Sequence, residues 1–179
     1  MAARFGGIMS GEVEKQTNQY LTFTLADEIF ALDIGSVREV LELTNITRIP
    51  RTPPFMRGVI NLRGHAVPVV DMRLKFGLPE VEATVNTCII IVEVEVEGED
   101  TVLGALVDSV REVVEMTPEA IEPAPRMGTS IDTRFIRGMG KQDEHFVIIL
   151  DIGKVFSADE LALARDAGGQ GVQEAVLAQ

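Results

Sequence analysis

The chain of 179 residues is long enough for one compact domain or two small ones, and its composition, 46% hydrophobic and 25% charged, is typical of a globular protein. The formal net charge of −12 argues against nucleic acid or an anionic membrane as its main binding partner. No apolar run approaches the roughly 20 residues of a membrane span, and the single cysteine, Cys88, excludes an internal disulfide and favours a cytoplasmic setting.

The first predicted element is a β-hairpin. In "YLTFTLA" and "IFALDI", apolar and polar residues alternate as they do in half-buried strands. Gly35-Ser36 then has the character of a helix cap, and Val37, Val40 and Leu41 follow at helical spacing. This pattern predicts a short helical turn that leads into another strand.

The next block, residues 55–76, predicts a second pair of strands. A turn near Phe55 is followed by a strand from Gly58, a tight turn and the strand "HAVPVVD". Pro68 has no N–H to donate, so this last strand is expected to be an edge or to carry an irregularity at the proline.

The rest of the chain predicts a similar series of elements and a final helix. "TCIIIVEVEVE" and "TVLGALV" form another hairpin, and Asp108-Ser109 looks like a second cap. "SADELALARD" at 157–166 has a capping box and predicts a C-terminal helix. Residues 1–16 and 167–179 are expected to be flexible tails around a folded part at 17–165.

Two matches within the chain indicate an internal duplication. "SVREV" occurs at 36–40 and again at 109–113, and residues 55–76 match 135–156 without a gap, with seven identities in 22 positions. The predicted halves run from about 20 to 80 and from about 86 to 156. Each half contains about five short strands, which usually curl into a small barrel to remove their edges. The sequence therefore predicts a mainly β protein of two packed, similar, five-stranded SH3-like barrels with short helices.

The duplication also weighs against catalysis and metal binding. His65 and His145 occupy equivalent repeat positions without a further ligand at metal-binding spacing. Asp71 and Asp151 are equivalent too, and each is better explained as a helix cap than as half of a catalytic dyad. We therefore expect no enzyme, cofactor or metal site. A small β-barrel enzyme and an RNA-binding barrel remain rivals, and the 5% aromatic content disfavours the second.

The sharpest difference between the halves is "NLRG", where the second half has "KQDE". Asn61 and Gly64 are explained by an ordinary turn, which does not require Arg63. Residues 48–75 contain six basic residues against Asp71 alone and carry a charge of +5. Such a segment on an acidic chain indicates a patch for an acidic protein partner, and a solvated basic face without a partner is the alternative.

Several segments in order carry a family resemblance. "FTLADEIFALDIGSVREVLE", "ITRIPRTPPFMRGVINLRGHAVPVVDMRLKFGL", "VLGALVDSVREVVEM" and "FIRGMGKQDEHFVIILDIGKVF" resemble successive blocks of the CheW family of bacterial chemotaxis coupling proteins. The resemblance covers nearly all of 20–160. It implies two barrels around a shared apolar interface and no enzymatic activity or cofactor.

The resemblance also implies partners and a site. The family couples the cytoplasmic tips of methyl-accepting chemoreceptors to the regulatory domain of the histidine kinase CheA, in the cytoplasm and at membrane-associated arrays, without nucleic acid or membrane insertion. An adaptor of a non-flagellar pathway, for pili or biofilm, is the alternative. The kinase-binding residues cannot be assigned by position. The receptor-binding positions implied are Arg63, Val37, Glu39, Asn61, Leu62, Gly58, Val110 and Val113.

Overall fold

A computed structural model describes residues 18–96, 98–124 and 133–156. Within these ranges the protein is mainly β, with two helices of a single turn, α1 (Met72–Lys75) and α2 (Ile152–Val155), and 3-10 turns at Ile34–Ser36, Pro118–Ala120 and Thr133–Phe135. The strands are β1 (Asn18–Leu25), β2 (Glu28–Asp33), β3 (Val37–Glu42), β4 (Met56–Leu62), β5 (His65–Asp71), β6 (Cys88–Val96), β7 (Glu99–Val107), β8 (Ser109–Met116), β9 (Ile121–Glu122), β10 (Ile136–Gln142) and β11 (His145–Leu150).

The strands form two sheets of matching design. Sheet A has the order β8-β1-β2-β11-β10-β9, and sheet B has the order β3-β6-β7-β5-β4. Replacing each strand of sheet B by its repeat equivalent gives the order of sheet A, to which the two-residue strand β9 is added. The predicted mainly β fold of two packed, similar five-stranded units is confirmed. The predicted tails and the helix at 157–166 lie outside the described residues.

The sheets do not divide where the predicted halves divide. Hairpin β1–β2 belongs to the first half but lies in sheet A among strands of the second half, and hairpin β6–β7 lies in sheet B among strands of the first half. The two hairpins are thus exchanged between the halves. Each is joined to its sheet by a parallel strand pairing, β2 with β11 and β7 with β5. The boundary expected between 80 and 86 therefore separates the repeats but not the two sheets.

The prediction of a short helical turn at the valines of the two "SVREV" copies is wrong, because these valines lie in strands. Val37 and Val40 lie in β3, and only Ile34–Ser36 before them form a 3-10 turn. A β-bulge at Arg38 shifts the register, so Val37 and Val40 both pack with the main core although three positions separate them. The bulge produces a spacing that resembles a helix. In the second copy, Ser109 and the residues that follow it are also strand, β8.

The main hydrophobic core lies between the sheets and joins residues of both. On strand β6, Ile90, Val92 and Val94 belong to this core, while Ile89 and Ile91 pack inside sheet B with Ile60 and Leu106. Both faces of β6 are thus buried, which explains its continuous apolar run. A corresponding inner cluster of sheet A contains Tyr20, Ala31, Val114, Met116, Val147 and Ile149.

Sheet B closes on itself through the segment that follows β3. Thr47 exchanges two backbone hydrogen bonds of 2.8 Å with Val59 of β4, the opposite edge of the sheet. Val59 also lies opposite Pro68 of β5, but the backbone N–H and C=O groups of Val59 bond to Thr47 and not to Pro68. Strand β5 lies inside the sheet, and its pairing with β7 begins at Val69, so the missing N–H of Pro68 costs no hydrogen bond.

The two aspartates predicted as caps behave differently. The Asp71 carboxylate accepts hydrogen bonds from the backbone N–H groups of Arg73 and Leu74 at 3.0 and 3.3 Å, as an N-cap does. Asp151 precedes α2 in the same way but makes no side-chain cap; its carbonyl oxygen accepts from Lys154 and Val155. Among the described residues, no helix is long and apolar enough to cross a membrane.

Candidate functional site

The candidate site is built on an ion pair between Arg63 and Glu39. Two guanidinium nitrogens of Arg63 donate to the two carboxylate oxygens of Glu39 at 2.8 and 2.9 Å, a bidentate arrangement. Glu39 lies on β3, and Arg63 follows β4, the other edge strand of sheet B. The contact therefore joins the same two edges that the Thr47–Val59 bridge joins, and it forms because the sheet curls closed.

Arg63 sits in a turn position that an arginine does not favour. Its φ is 52° and that of Gly64 is 86°, the left-handed pair of a two-residue hairpin turn. The Asn61 side chain accepts a hydrogen bond of 2.8 Å from the Gly64 N–H, so Asn61 and Gly64 serve the turn. Asparagine or glycine would suit position 63 better on conformational grounds. The turn itself therefore does not explain the arginine.

The two partners differ in exposure. The Glu39 side chain is 12% exposed and the Arg63 side chain is 62% exposed. The hydrogen bond from Arg63 is the main cause that holds the pKa of Glu39 below its usual value. Glu39 is thus a fixed carboxylate that holds one edge of the guanidinium, while the Arg63 side chain remains mostly exposed. An exposed, positioned guanidinium can bind a carboxylate or a carbonyl of a partner.

The second half cannot form the same pair. At the equivalent positions, Arg63 is replaced by Asp143 and Glu39 by Glu112. Asp143 keeps the left-handed turn conformation, with a φ of 55°. The backbone of the turn is therefore duplicated, whereas the arginine–carboxylate pair belongs to sheet B alone.

The other predicted site residues are placed as follows. Leu62 is half-buried and packs against the inner cluster of sheet B. Gly58 is buried against the backbone of Thr47. Val110 packs against the main core, and Val113 is one of the exposed large apolar side chains. Both valines lie on β8 in sheet A, whereas Glu39 lies on β3 and Arg63 follows β4, both of sheet B.

Val37 is a core residue with 4% exposure, whereas Val113 is 37% exposed. Val37→Ala is expected to lower the free energy of unfolding by about 2 kcal/mol because it leaves a cavity in the main core. Val113→Ala should change it by less than about 0.5 kcal/mol. Urea unfolding of the two variants checks this. Equal losses, or a larger loss for Val113→Ala, would contradict the burial assignment.

The basic segment 48–75 does not form one continuous patch. Arg57 pairs with Glu80 and with Asp71, and Arg73 pairs with Asp108. The Lys75 ammonium lies 4.7 Å from the centre of the Phe55 ring and 5.8 Å from those of Phe135 and Phe156. These three basic residues are therefore engaged in contacts within the chain. Arg63 has its own carboxylate, and Arg48 and Arg51 are exposed.

The pair of Arg73 and Asp108 is a contact that the sequence interpretation missed. The guanidinium donates to both carboxylate oxygens at 2.8 and 2.7 Å, and Asp108 also accepts from the Ala26 N–H at 2.8 Å. Asp108 was interpreted as a possible cap, but its role is to hold α1 and the β1–β2 turn together. One signal was available, since the repeat equivalents of Arg73 and Asp108 are both glycine, Gly153 and Gly35.

Comparisons with known proteins agree on one family. The model of the CheW-like domain matches residues 19–160. The chain is similar to the chemotaxis protein CheW of Klebsiella aerogenes, with 37% identity over 87% of this chain and 90% of that protein. It is also similar to the chemotaxis protein CheW of Treponema pallidum, with 30% identity over 83% and 88%. The crystal structure of the scaffolding protein TtCheW from Thermoanaerobacter tengcongensis matches with a TM-score of 0.71 and 38% identity, over 80% of this chain and 94% of that one.

Proposed function

The chain belongs to the CheW-like domain family, a family of non-catalytic chemotaxis scaffolds, and from this premise we propose which partners it joins. The protein couples the cytoplasmic tips of methyl-accepting chemoreceptors to the regulatory domain of the histidine kinase CheA, so that the state of the receptor controls the kinase. It acts in the cytoplasm and is recruited to membrane-associated receptor arrays. Its contribution is differential binding rather than chemistry.

The observation that carries the proposal is the exposed guanidinium of Arg63. It has a fixed position, since Glu39 holds it in two hydrogen bonds, and it has no counterpart in the other sheet. A receptor tip is a helical hairpin with polar side chains and carbonyl groups. A rigid arginine on the surface of sheet B would fix the register of such a helix. Asn61 and Leu62 are the last two residues of β4, directly before Arg63, and they complete the proposed receptor-binding turn.

Val37, Gly58 and Val110 take an indirect part in this proposal. All three lie in or against the packed interior, so they position the β3 edge and β8 rather than touch the receptor through large exposed side chains. Val113 is exposed, and in the proposal it contributes apolar contact area from sheet A. The kinase-binding surface is not assigned to residues.

Arg63→Ala is expected to weaken receptor binding by about tenfold, because it removes charge-assisted hydrogen bonds at an interface. The measurement is titration of the protein with a receptor cytoplasmic fragment, and in parallel with a kinase regulatory domain. Kinase affinity should stay close to that of the wild type. The variant should remain folded, with a lowered unfolding midpoint because the mostly buried Glu39 carboxylate loses its partner.

Arg137→Ala is the matched control, because Arg137 is an exposed arginine that pairs with a carboxylate of Asp33 at 3.4 Å. It should leave both affinities unchanged. An Arg63→Ala variant with wild-type receptor affinity would remove Arg63 from the site, and a wild type that binds neither fragment would overturn the proposed function. Receptors and kinases that co-purify with the protein distinguish a flagellar from a non-flagellar pathway.

A further inference from the structure

Arg48 and Arg51 are basic residues without a carboxylate partner among the residues that the structure describes. Both are exposed, and both lie in the loop that joins β3 to β4. The chain as a whole carries a net charge of −12. Two unpaired arginines in one short loop of an acidic protein therefore form a local electropositive site that the fold does not use.

The two arginines line an open cleft of about 480 Å³. Its other walls include Pro50, Pro53 and Pro54, whose rings fix the backbone and leave little freedom to lose on binding. Met56 contributes an adaptable apolar surface at the base of the loop. The cleft thus combines rigid apolar walls with two cationic side chains.

Arg51 has a left-handed backbone conformation although it does not lie in a hairpin turn. Its φ is 63°, in the left-handed region. The other described non-glycine residues with positive φ are Ala26, Arg63 and Asp143, and each lies in a two-residue hairpin turn. Arg51 lies in a longer loop, where Thr52 donates a hydrogen bond of 3.0 Å to the Ile49 carbonyl. An asparagine or a glycine would be easier to place there, so the conformation of the loop does not explain the arginine.

The cleft is separate from the Arg63 turn. Thr47, which precedes Arg48, forms backbone hydrogen bonds with Val59 in the middle of β4. Arg63 lies four residues after Val59, just beyond the end of β4. At about 3.4 Å per residue, Val59 and Arg63 are roughly 14 Å apart. The loop and the turn thus lie toward opposite ends of β4, and a partner at one end leaves the other accessible.

We propose that the β3–β4 loop, residues 48–56, is a docking site for an extended acidic segment of a partner protein. Arg48 and Arg51 would each bind a carboxylate of the segment, because the planar guanidinium matches a carboxylate in two hydrogen bonds. The prolines and Met56 would contact the apolar parts between those carboxylates. This site goes beyond the receptor and kinase coupling proposed above and does not depend on it.

Charge and composition favour such a segment over other occupants. Among the described residues that line the cleft, none is an aromatic residue on which a nucleic-acid base could stack. A second copy of the chain would bring its whole net charge of −12 toward the first. A short acidic segment delivers its carboxylates to the two arginines without bringing a large charged body close.

The test is fluorescence anisotropy with a fluorescein-labelled peptide of alternating glutamate and alanine, at low and at physiological salt. The wild-type protein is expected to bind it saturably and more weakly as salt rises. Arg48→Gln combined with Arg51→Asn should weaken binding by about tenfold, as expected for two partly solvated ion pairs. Asparagine at position 51 tolerates the left-handed conformation, so the loop is preserved.

Three controls make the result decisive. Arg111→Gln removes one charge from exposed β8 and should not change the affinity, nor should Arg137→Ala on β10. A peptide of alternating glutamine and alanine should not bind. If the double variant lost its fold, peptide-induced NMR shifts at Ile49 and Thr52 of the wild type would replace it as the readout.

Absence of saturable binding, or equal weakening by Arg111→Gln, would overturn the proposal. So would a wild-type dimer in sedimentation velocity that the double variant loses, because the occupant would then be a second copy.

Discussion

Gly58→Ala is expected to destabilise the protein by about 4 kcal/mol or more. A Cβ atom at position 58 would collide with the Thr47 carbonyl group and lie 2.9 Å from Cγ2 of Ile46, and the φ of Gly58 is +143°. The new methyl group would separate Thr47 from Val59 and break the two hydrogen bonds that close sheet B. Overpacking, backbone strain and lost hydrogen bonds add in the same direction.

Urea unfolding of Gly58→Ala measures this loss, and Gly77→Ala is the matched control. Gly77 also has a positive φ, +78°, but no heavy atom lies within 4 Å of the position that its Cβ would take. The control should lose only the conformational term, about 1 kcal/mol. A Gly58→Ala protein with a wild-type unfolding midpoint and a selective loss of receptor binding would show that Gly58 contacts the receptor. The structure instead explains Gly58 by the closure of the barrel.

The duplication was readable from the sequence because each copy keeps the same local requirements. Gly58 and Gly138, for example, both lie against the segment that closes their sheet, at Thr47 and at Glu122. The exchange of the two hairpins could not be predicted in this way. It depends on parallel pairings between distant strands, β2 with β11 and β5 with β7, and the local apolar pattern of a hairpin is the same in either sheet.

The sequence drew attention to Arg63 and Glu39 but could not predict their contact. Arg63 stood out because its repeat equivalent is Asp143, and Glu39 was implied by the family resemblance. Their contact joins the two edges of sheet B, which are far apart in strand order and meet only because the sheet closes. For Val37, the sequence failed to predict the local conformation itself. The β-bulge at Arg38 turns it into the core, and a bulge leaves no distinct sequence pattern.

Asp108→Asn is the second substitution with a large expected effect, about 2–3 kcal/mol of unfolding free energy. The Arg73 and Asp108 side chains are 14% and 25% exposed, so the substitution leaves a mostly buried guanidinium without its countercharge. The remaining exposure lowers the loss below that of a fully buried pair. Asp108 also accepts from the Ala26 N–H of the β1–β2 turn. The contact therefore joins sheet A to α1, which follows β5 of sheet B.

Arg137→Ala serves as the control, because its pair with Asp33 spans 3.4 Å and both side chains are well exposed. Its effect should stay below about 0.5 kcal/mol. A double-mutant cycle with Arg73→Met isolates the pair, and a coupling energy near zero between Arg73→Met and Asp108→Asn would refute the structural role assigned to it.

The pH dependence gives an independent check on the same carboxylate. Burial raises the pKa of Asp108, but the hydrogen bonds from Arg73 and from the Ala26 N–H outweigh it, so the folded-state pKa is lowered. A carboxylate with a lowered pKa stabilises the fold above its unfolded pKa, about 3.9, and this stabilisation is lost as pH falls through the folded-state pKa. The stability difference between wild type and Asp108→Asn should therefore be full near neutral pH and shrink below about pH 4. Burial raises the pKa of Asp71, which acts in the opposite direction in both proteins. The difference cancels that contribution, and a difference that does not change with pH would show that Asp108 is not held as a charged partner of Arg73.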